Sequence, residues 1–135
     1  MLTGSYTIAQ KSDHIIGRFS AMASPCELLI ETQDLELAKL LTSIAYTETN
    51  RIEQKFSRYL PSNILAKINQ SQGNPIVIDD EIFRLLEFAN SCFYLSEGLF
   101  DITSGVLRKA WKFDGSDNLP TLKAVKKLMP YVGWQ

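Results

Sequence analysis

The chain is poor in the residues that announce familiar chemistry. It holds one histidine, His14, in a polar stretch near the N-terminus. A single imidazole without companion ligands argues against a histidine-based metal site and against a Ser-His-Asp triad. It has two cysteines, Cys26 and Cys92, without the short paired spacing of zinc or redox motifs. Two buried reduced thiols are the favoured reading, with one disulfide as the alternative. Its 7 glycines form no G-x-G-x-x-G or G-x-x-x-x-G-K-[ST] loop, and H-E-x-x-H and G-x-S-x-G are absent too. Neither sign of charge is in excess: 14 basic and 15 acidic residues leave a net charge of −1. No broad positive field follows, which argues against nucleic acid as a partner. The longest basic cluster, Lys123 to Lys127, is broken by Ala124 and Val125 and reads as one solvated helix face. No run approaches the roughly 18 apolar residues of a membrane span, and the opening MLTGSYTIAQKSD has no apolar leader region. As it stands the sequence reads as cytoplasmic.

What is present suits one soluble globular domain. The 135 residues are 45 % hydrophobic and 21 % charged, enough for a moderate core. Residues 1–16 carry little periodic signal and read as an N-terminal arm, with the domain running over 17–135. Residues 18–31 alternate: Cys26, Leu28 and Ile30 face one way, Glu27 and Glu31 the other, as in a half-buried strand. Pro25 cannot donate to a ladder, so a bulge, bend or edge is expected there.

Residues 34–58 change to a helical period. Leu37, Leu41, Ile44, Ala45, Ile52 and Phe56 form the expected stripe, with Glu48 at its edge and its carboxylate in water. Asp34 and Glu36 lie where a helix N-terminus favours negative charge, and Pro61 is expected to stop the helix. A loop with a short helical turn follows. Pro75 to Ile78 reads as a short strand, and Asp79, Asp80 and Glu81 cap a second main helix. Its apolar face is Ile82, Leu85, Leu86, Ala89 and Phe93, and Gly98 is the expected left-handed stop. A third, shorter helix is expected over 102–111, and 113–120 is turn-rich. Thr121 or a near neighbour opens a last helix that Pro130 ends. The segment 131–135 reads as the beginning of another strand. The expected architecture is α+β, an antiparallel sheet packed against two main helices.

Two segments and one side chain are candidates for chemistry. Ser96 to Gly105 places a glycine turn, an aromatic, a carboxylate and two hydroxyls after a helix end, a setting that exposes backbone polar groups to a ligand. The plainer reading is that Asp101 or Thr103 caps the next helix while Phe100 plugs the core. Phe56 to Pro61 carries Tyr59 at a helix end, where a ring stacks on a planar ligand or, more commonly, on the next loop. Met22 sits in the strand, where methionine is usually core filler. From the residues alone the structural reading is favoured at each.

Taken together these segments resemble the FAD:protein FMN transferase (ApbE) family. The strand start reads Ala21-Met22-Ala23-Ser24-Pro25-Cys26, a variant of a small-Met-small-Thr/Ser pattern. The helix end reads Phe56-Ser57-Arg58-Tyr59-Leu60-Pro61-Ser62 and continues to Ile68-Asn69, like F-S-x-Y-x-P-x-S-x-x-x-x-I-N. The third element, Ser96-Glu97-Gly98-Leu99-Phe100-Asp101-Ile102-Thr103-Ser104-Gly105-Val106-Leu107, is the most specific and has Trp111 beyond it. The likeness runs from about Gly17 to the end of the chain.

The resemblance implies the N-terminal half of a T-fold-like enzyme that moves FMN from FAD to a Ser or Thr of a target flavoprotein and releases AMP, with Mg²⁺. It implies FAD contacts at Met22, Tyr59, Leu99, Phe100 and Asp101, with Thr103 and Trp111 as framework. It places the metal ligands and the carboxylate beside the reacting phosphate in a later half, so no metal ligand and no catalytic base is assigned in this chain. The expected partners are FAD, a target flavoprotein and a C-terminal half or second chain. Members of the family are often exported. Asn63 stands where the family usually has Ser, Val106 where it has Pro, and Lys112 where it has Gly. The alternatives are an FAD-binding module without transfer activity, and an inactive interaction domain that keeps only the fold.

Overall fold

A computed structural model describes residues 5–112 and 114–134. The chain divides into two compact units, Met1–Ile76 and Val77–Gln135.

The first unit is built on a three-stranded antiparallel sheet in the order β1-β2-β3, with strands Thr7–Gln10, Ile15–Ala21 and Ser24–Ile30. The expected arm therefore belongs to the sheet from Thr7 onward, and the boundary drawn at residue 16 falls inside β2. Ile15 is fully buried and Ile16 nearly so. The arm's first four residues lie outside the described residues. The single strand expected over 18–31 is instead a hairpin. Ala21 pairs with Ser24 and only Met22 and Ala23 lie between them. Both have positive φ, 53° and 58°, which is what a two-residue loop needs to follow the strand twist. Pro25 lies on β3, which pairs with β2 alone, so the expected edge position holds.

Helix α1 (Leu35–Phe56) lies against this sheet. Asp34 caps it, its carboxylate accepting from the amides of Glu36 and Leu37. The helix ends at Phe56, five residues before Pro61, which lies in the following loop. Direct pairing puts Ile15 with Ile30, Gly17 with Leu28 and Phe19 with Cys26 on one face of the sheet, which confirms the expected alternation of β3. That face meets α1 through Gly17 against Thr42, and through the Phe19 and Tyr46 rings, 5.6 Å apart and edge-on. The buried residues of α1 are Ala38 and Thr42. Of the expected stripe, Ala45, Ile52 and Phe56 are half-buried while Leu37, Leu41 and Ile44 are exposed. The helix is apolar around more than one face, and the sheet meets the face with small residues because only that face fits the bare backbone of Gly17. Glu48 is solvent-facing and paired with Arg51, as its edge position implies.

Helix α2 (Ile64–Asn69) follows, capped by Asn63. Pro75 to Ile78 forms no ladder, so the strand expected there is absent.

The second unit begins with α3 (Asp80–Leu95), capped by Asp79. Ile82 and Ala89 of its expected face are buried, Leu86 and Phe93 half-buried and Leu85 exposed. Its C-terminus closes in a Schellman motif. The Gly98 amide donates to the Phe93 carbonyl at 2.9 Å and the Glu97 amide to that of Tyr94 at 3.1 Å. The residue just past the cap, where glycine is usual, is Glu97 with φ of 54°. Gly98 follows with φ of 81°, so the reversal spends two left-handed residues rather than the one expected at Gly98. A side chain in that region costs about 1–2 kcal/mol. Glu97→Gly is therefore expected to raise stability by about 0.5–1 kcal/mol, after the greater flexibility of glycine in the unfolded chain is allowed for. Urea denaturation measures it, and an unchanged midpoint would show that the glutamate is held without strain.

The third helix is a 3-10 helix, Ile102–Lys109. Helix α4 (Leu122–Leu128) is capped by Thr121, and a 3-10 turn, Met129–Tyr131, carries Pro130. Lys123, Lys126 and Lys127 are exposed, as a solvated face requires. The strand expected over 131–135 is not formed: Tyr131 belongs to the 3-10 turn and Val132 to Trp134 pair with no strand. They are held instead by side chains, the Gly133 amide donating to Thr103 Oγ1 at 2.9 Å and Trp134 Nε1 to Asn90 Oδ1 at 2.8 Å. Gln135 and Phe113 lie outside the described residues. Cys26 and Cys92 are free and half-buried, in keeping with reduced thiols but less sheltered than expected.

Candidate functional site

The candidate residues divide between the two units. Met22 and Tyr59 belong to the first; Leu99, Phe100 and Asp101 belong to the second, together with Thr103 and Trp111.

Met22 occupies the tip of the β2–β3 hairpin. Its side chain is half exposed rather than core filler. Its amide donates to Glu53 Oε2 of α1 at 3.0 Å. Tyr59 lies in the loop after α1 and is 75 % exposed. The Arg58 guanidinium lies over its ring at 4.7 Å and also hydrogen-bonds its hydroxyl. Asn63 fixes this loop. Its Nδ2 donates to the carbonyls of Ser57, at 2.6 Å, and Gln54, while Oδ1 accepts the Ala66 amide and caps α2. The departure from serine at this position adds donors that a hydroxyl lacks. The tyrosine is thus presented from a loop tied at both ends.

The turn after α3 presents Leu99 and Phe100. The Leu99 amide donates to the Ser96 carbonyl at 3.1 Å and the Phe100 amide to Ser96 Oγ at 2.8 Å. Leu99 is 93 % exposed and Phe100 46 %, so Phe100 does not plug the core. Asp101 caps the 3-10 helix, with its Oδ1 accepting from the Thr103 amide at 2.7 Å and the Thr103 hydroxyl at 2.6 Å. That satisfies the plainer reading of Asp101. Both bonds fall on one oxygen, and the carboxylate is only half-buried. Trp111 is 37 % exposed, its amide bonded to the Leu107 carbonyl, and Lys112 is exposed.

Asp13 lies below the usual carboxylate range because the His14 imidazole hydrogen-bonds and attracts it. Asp114 is lowered by bonds from the Ser116 hydroxyl and amide. Neither belongs to the candidate residues, and both are fully solvated. Among the described residues no three His, Cys, Asp or Glu side chains converge as cation ligands. A shallow surface cleft of about 470 Å³ at the start of α3, lined by Asp80, Glu81, Arg84 and Leu85, includes none of the candidate residues. Among the described residues no helix is long and apolar enough to cross a membrane.

Sequence reasoning missed Glu53. A glutamate five residues after Glu48 on the same helix gives no sign that it reaches a hairpin tip 31 residues earlier in the chain.

The fold has a solved counterpart. A crystal structure of the ApbE protein from Thermotoga maritima superposes with a TM-score of 0.64 at 20 % identity, covering 96 % of this chain and 40 % of that one. At that identity the likeness speaks for the fold. No curated protein matches the sequence. Residues 22–135 match the model of the ApbE family, a span that includes all five candidate residues. On that match, over most of its length, the chain belongs to the ApbE family.

Proposed function

We propose that the chain supplies an FAD-binding wall of a flavin transferase, an enzyme that moves FMN from FAD to a Ser or Thr of a target flavoprotein with Mg²⁺. Membership of the ApbE family supports flavin transfer in general. The observation that carries the reading in this chain is the turn after α3. Leu99 and Phe100 stand out of the fold on a backbone bonded at both amides to Ser96. Apolar side chains held rigidly in water are poorly explained by folding and well explained by a planar apolar ligand. Tyr59, similarly exposed and braced, offers a second aromatic face.

In this reading Leu99 and Phe100 are the FAD contacts of the second unit, and Tyr59 and Met22 those of the first, the methionine as a polarisable contact. Asp101 holds the 3-10 helix and keeps one oxygen for a ligand donor. Among the described residues none is proposed to hold the metal or to activate the acceptor hydroxyl. If bound at the reacting phosphates, a divalent ion would supply charge stabilisation there.

The test is an FAD titration of the purified chain with and without Mg²⁺, following flavin and tryptophan fluorescence. Saturable binding is expected, weakened about tenfold in Tyr59→Ala, the scale of one lost aromatic contact. Binding without release of AMP on addition of a flavoprotein acceptor is expected of the chain alone; its completion by a second polypeptide would show what supplies the catalytic groups. No binding at high FAD, from a chain shown to be folded, overturns the reading and leaves a domain that keeps the fold for interaction.

A further inference from the structure

The Met22–Ala23 turn is costly. Two successive side-chain-bearing residues sit in the left-handed region, at φ of 53° and 58°, without the Asn, Asp or Gly that usually carries such a loop. In a turn of this kind the bond runs from the fourth residue to the first, so the amide of the second residue is left without a partner in the hairpin. Here that amide is Met22's, and the Glu53 carboxylate takes it at 3.0 Å. Glu53 is itself half-buried and lies in the last turn and a half of α1. Its own carbonyl accepts the Ser57 amide that closes the helix, at 2.8 Å. Ser57 Oγ in turn accepts the Tyr59 amide. One helix residue therefore anchors the tip that carries Met22 and the helix end that leads to Tyr59.

We infer that Glu53 is a positioning residue: its carboxylate fixes the Met22 turn and so aims the half-exposed methionine at the flavin. The inference rests on the FAD-binding reading for its purpose and on the Glu53–Met22 bond for its mechanism. The bond needs an acceptor at the length of a glutamate. Glutamine keeps an oxygen at that distance, aspartate keeps the charge but falls one methylene short, and alanine has neither.

The experiment labels the methionine methyl groups with ¹³C. The chain has three methionines, and Met22→Leu assigns the signal of interest. In Glu53→Asp and Glu53→Ala the Met22 methyl resonance is expected to move toward the position of a free side chain, and FAD affinity to fall about tenfold, the scale of one lost charge-assisted hydrogen bond. Glu53→Gln is expected to retain both the resonance and most of the affinity, a rescue that a merely charged or merely helical role would not give. An unmoved resonance in the folded aspartate variant overturns the inference. So does unchanged FAD affinity in a variant whose resonance has moved. A wild-type chain that fails to bind FAD overturns the function reading instead, and the resonance still decides whether Glu53 fixes the turn.

Discussion

Gly17→Ala is expected to destabilise the first unit by about 3 kcal/mol, the upper end of what overpacking a core costs. A Cβ at this position would lie 2.1 Å from Thr42 Oγ1 and 2.6 Å from its Cγ2. Neither atom has room to retreat. Thr42 is fully buried, and its hydroxyl is bonded to the Ala38 carbonyl at 2.8 Å. The backbone of Gly17 has no positive φ, so alanine is acceptable to the strand itself and the whole penalty is steric. The alternative to a clash is for α1 to lift off β2, which would expose Ile15 and separate the Phe19 and Tyr46 rings. A second change tests the cause. Thr42→Ala removes both clashing atoms and leaves only its Cβ, 2.9 Å from the added methyl. The double variant should recover part of the lost stability, giving a positive coupling between two sites 25 residues apart in sequence, as contacting residues do. Urea denaturation midpoints measure all three chains. A Gly17→Ala chain as stable as the wild type would mean that strand and helix are not packed as closely as described.

Leu99→Ala combined with Phe100→Ala should reduce FAD affinity about a hundredfold and barely change the fold. Leu99 is almost entirely in water and Phe100 about half, so their truncation removes little that the folded state buries. Burying one such side chain against a ligand contributes about 1.5–3 kcal/mol, and a hundredfold corresponds to about 2.7 kcal/mol for the pair, a cautious sum. The effect should fall on binding because the backbone beneath them stays fixed. Ser96 bonds both amides and the Schellman motif closes the helix before them, so a ligand finds the surface already ordered and little entropy is lost on contact. Fluorescence titration gives the affinity and circular dichroism the fold. Equal affinity in the folded double variant would remove this turn from the flavin wall.

The helix starts were legible because a cap is a local event. Asp34, Asp79 and Thr121 each accept a backbone amide two or three residues ahead. The alternation of Cys26, Leu28 and Ile30 was legible for the same reason. The family was legible because three motifs keep their order and spacing, and the match over residues 22–135 agrees. The hairpin was missed because Met22-Ala23 carries none of the usual turn residues. The first strand was missed because four residues with polar ends, Thr7 and Gln10, give no measurable period.

Sequence alone thus determined where the helices begin, which residues of β3 share a face, and to which family the chain belongs. Those properties depend on neighbours within a few residues or on letters kept in order. Tertiary structure decided the rest: that the small-residue face of α1 meets the sheet, that Met22, Ala23 and Glu97 are held left-handed, and that Glu53 holds a turn 31 residues away. Each of these is settled by what two distant segments can fit between them, and a linear pattern does not carry that fit.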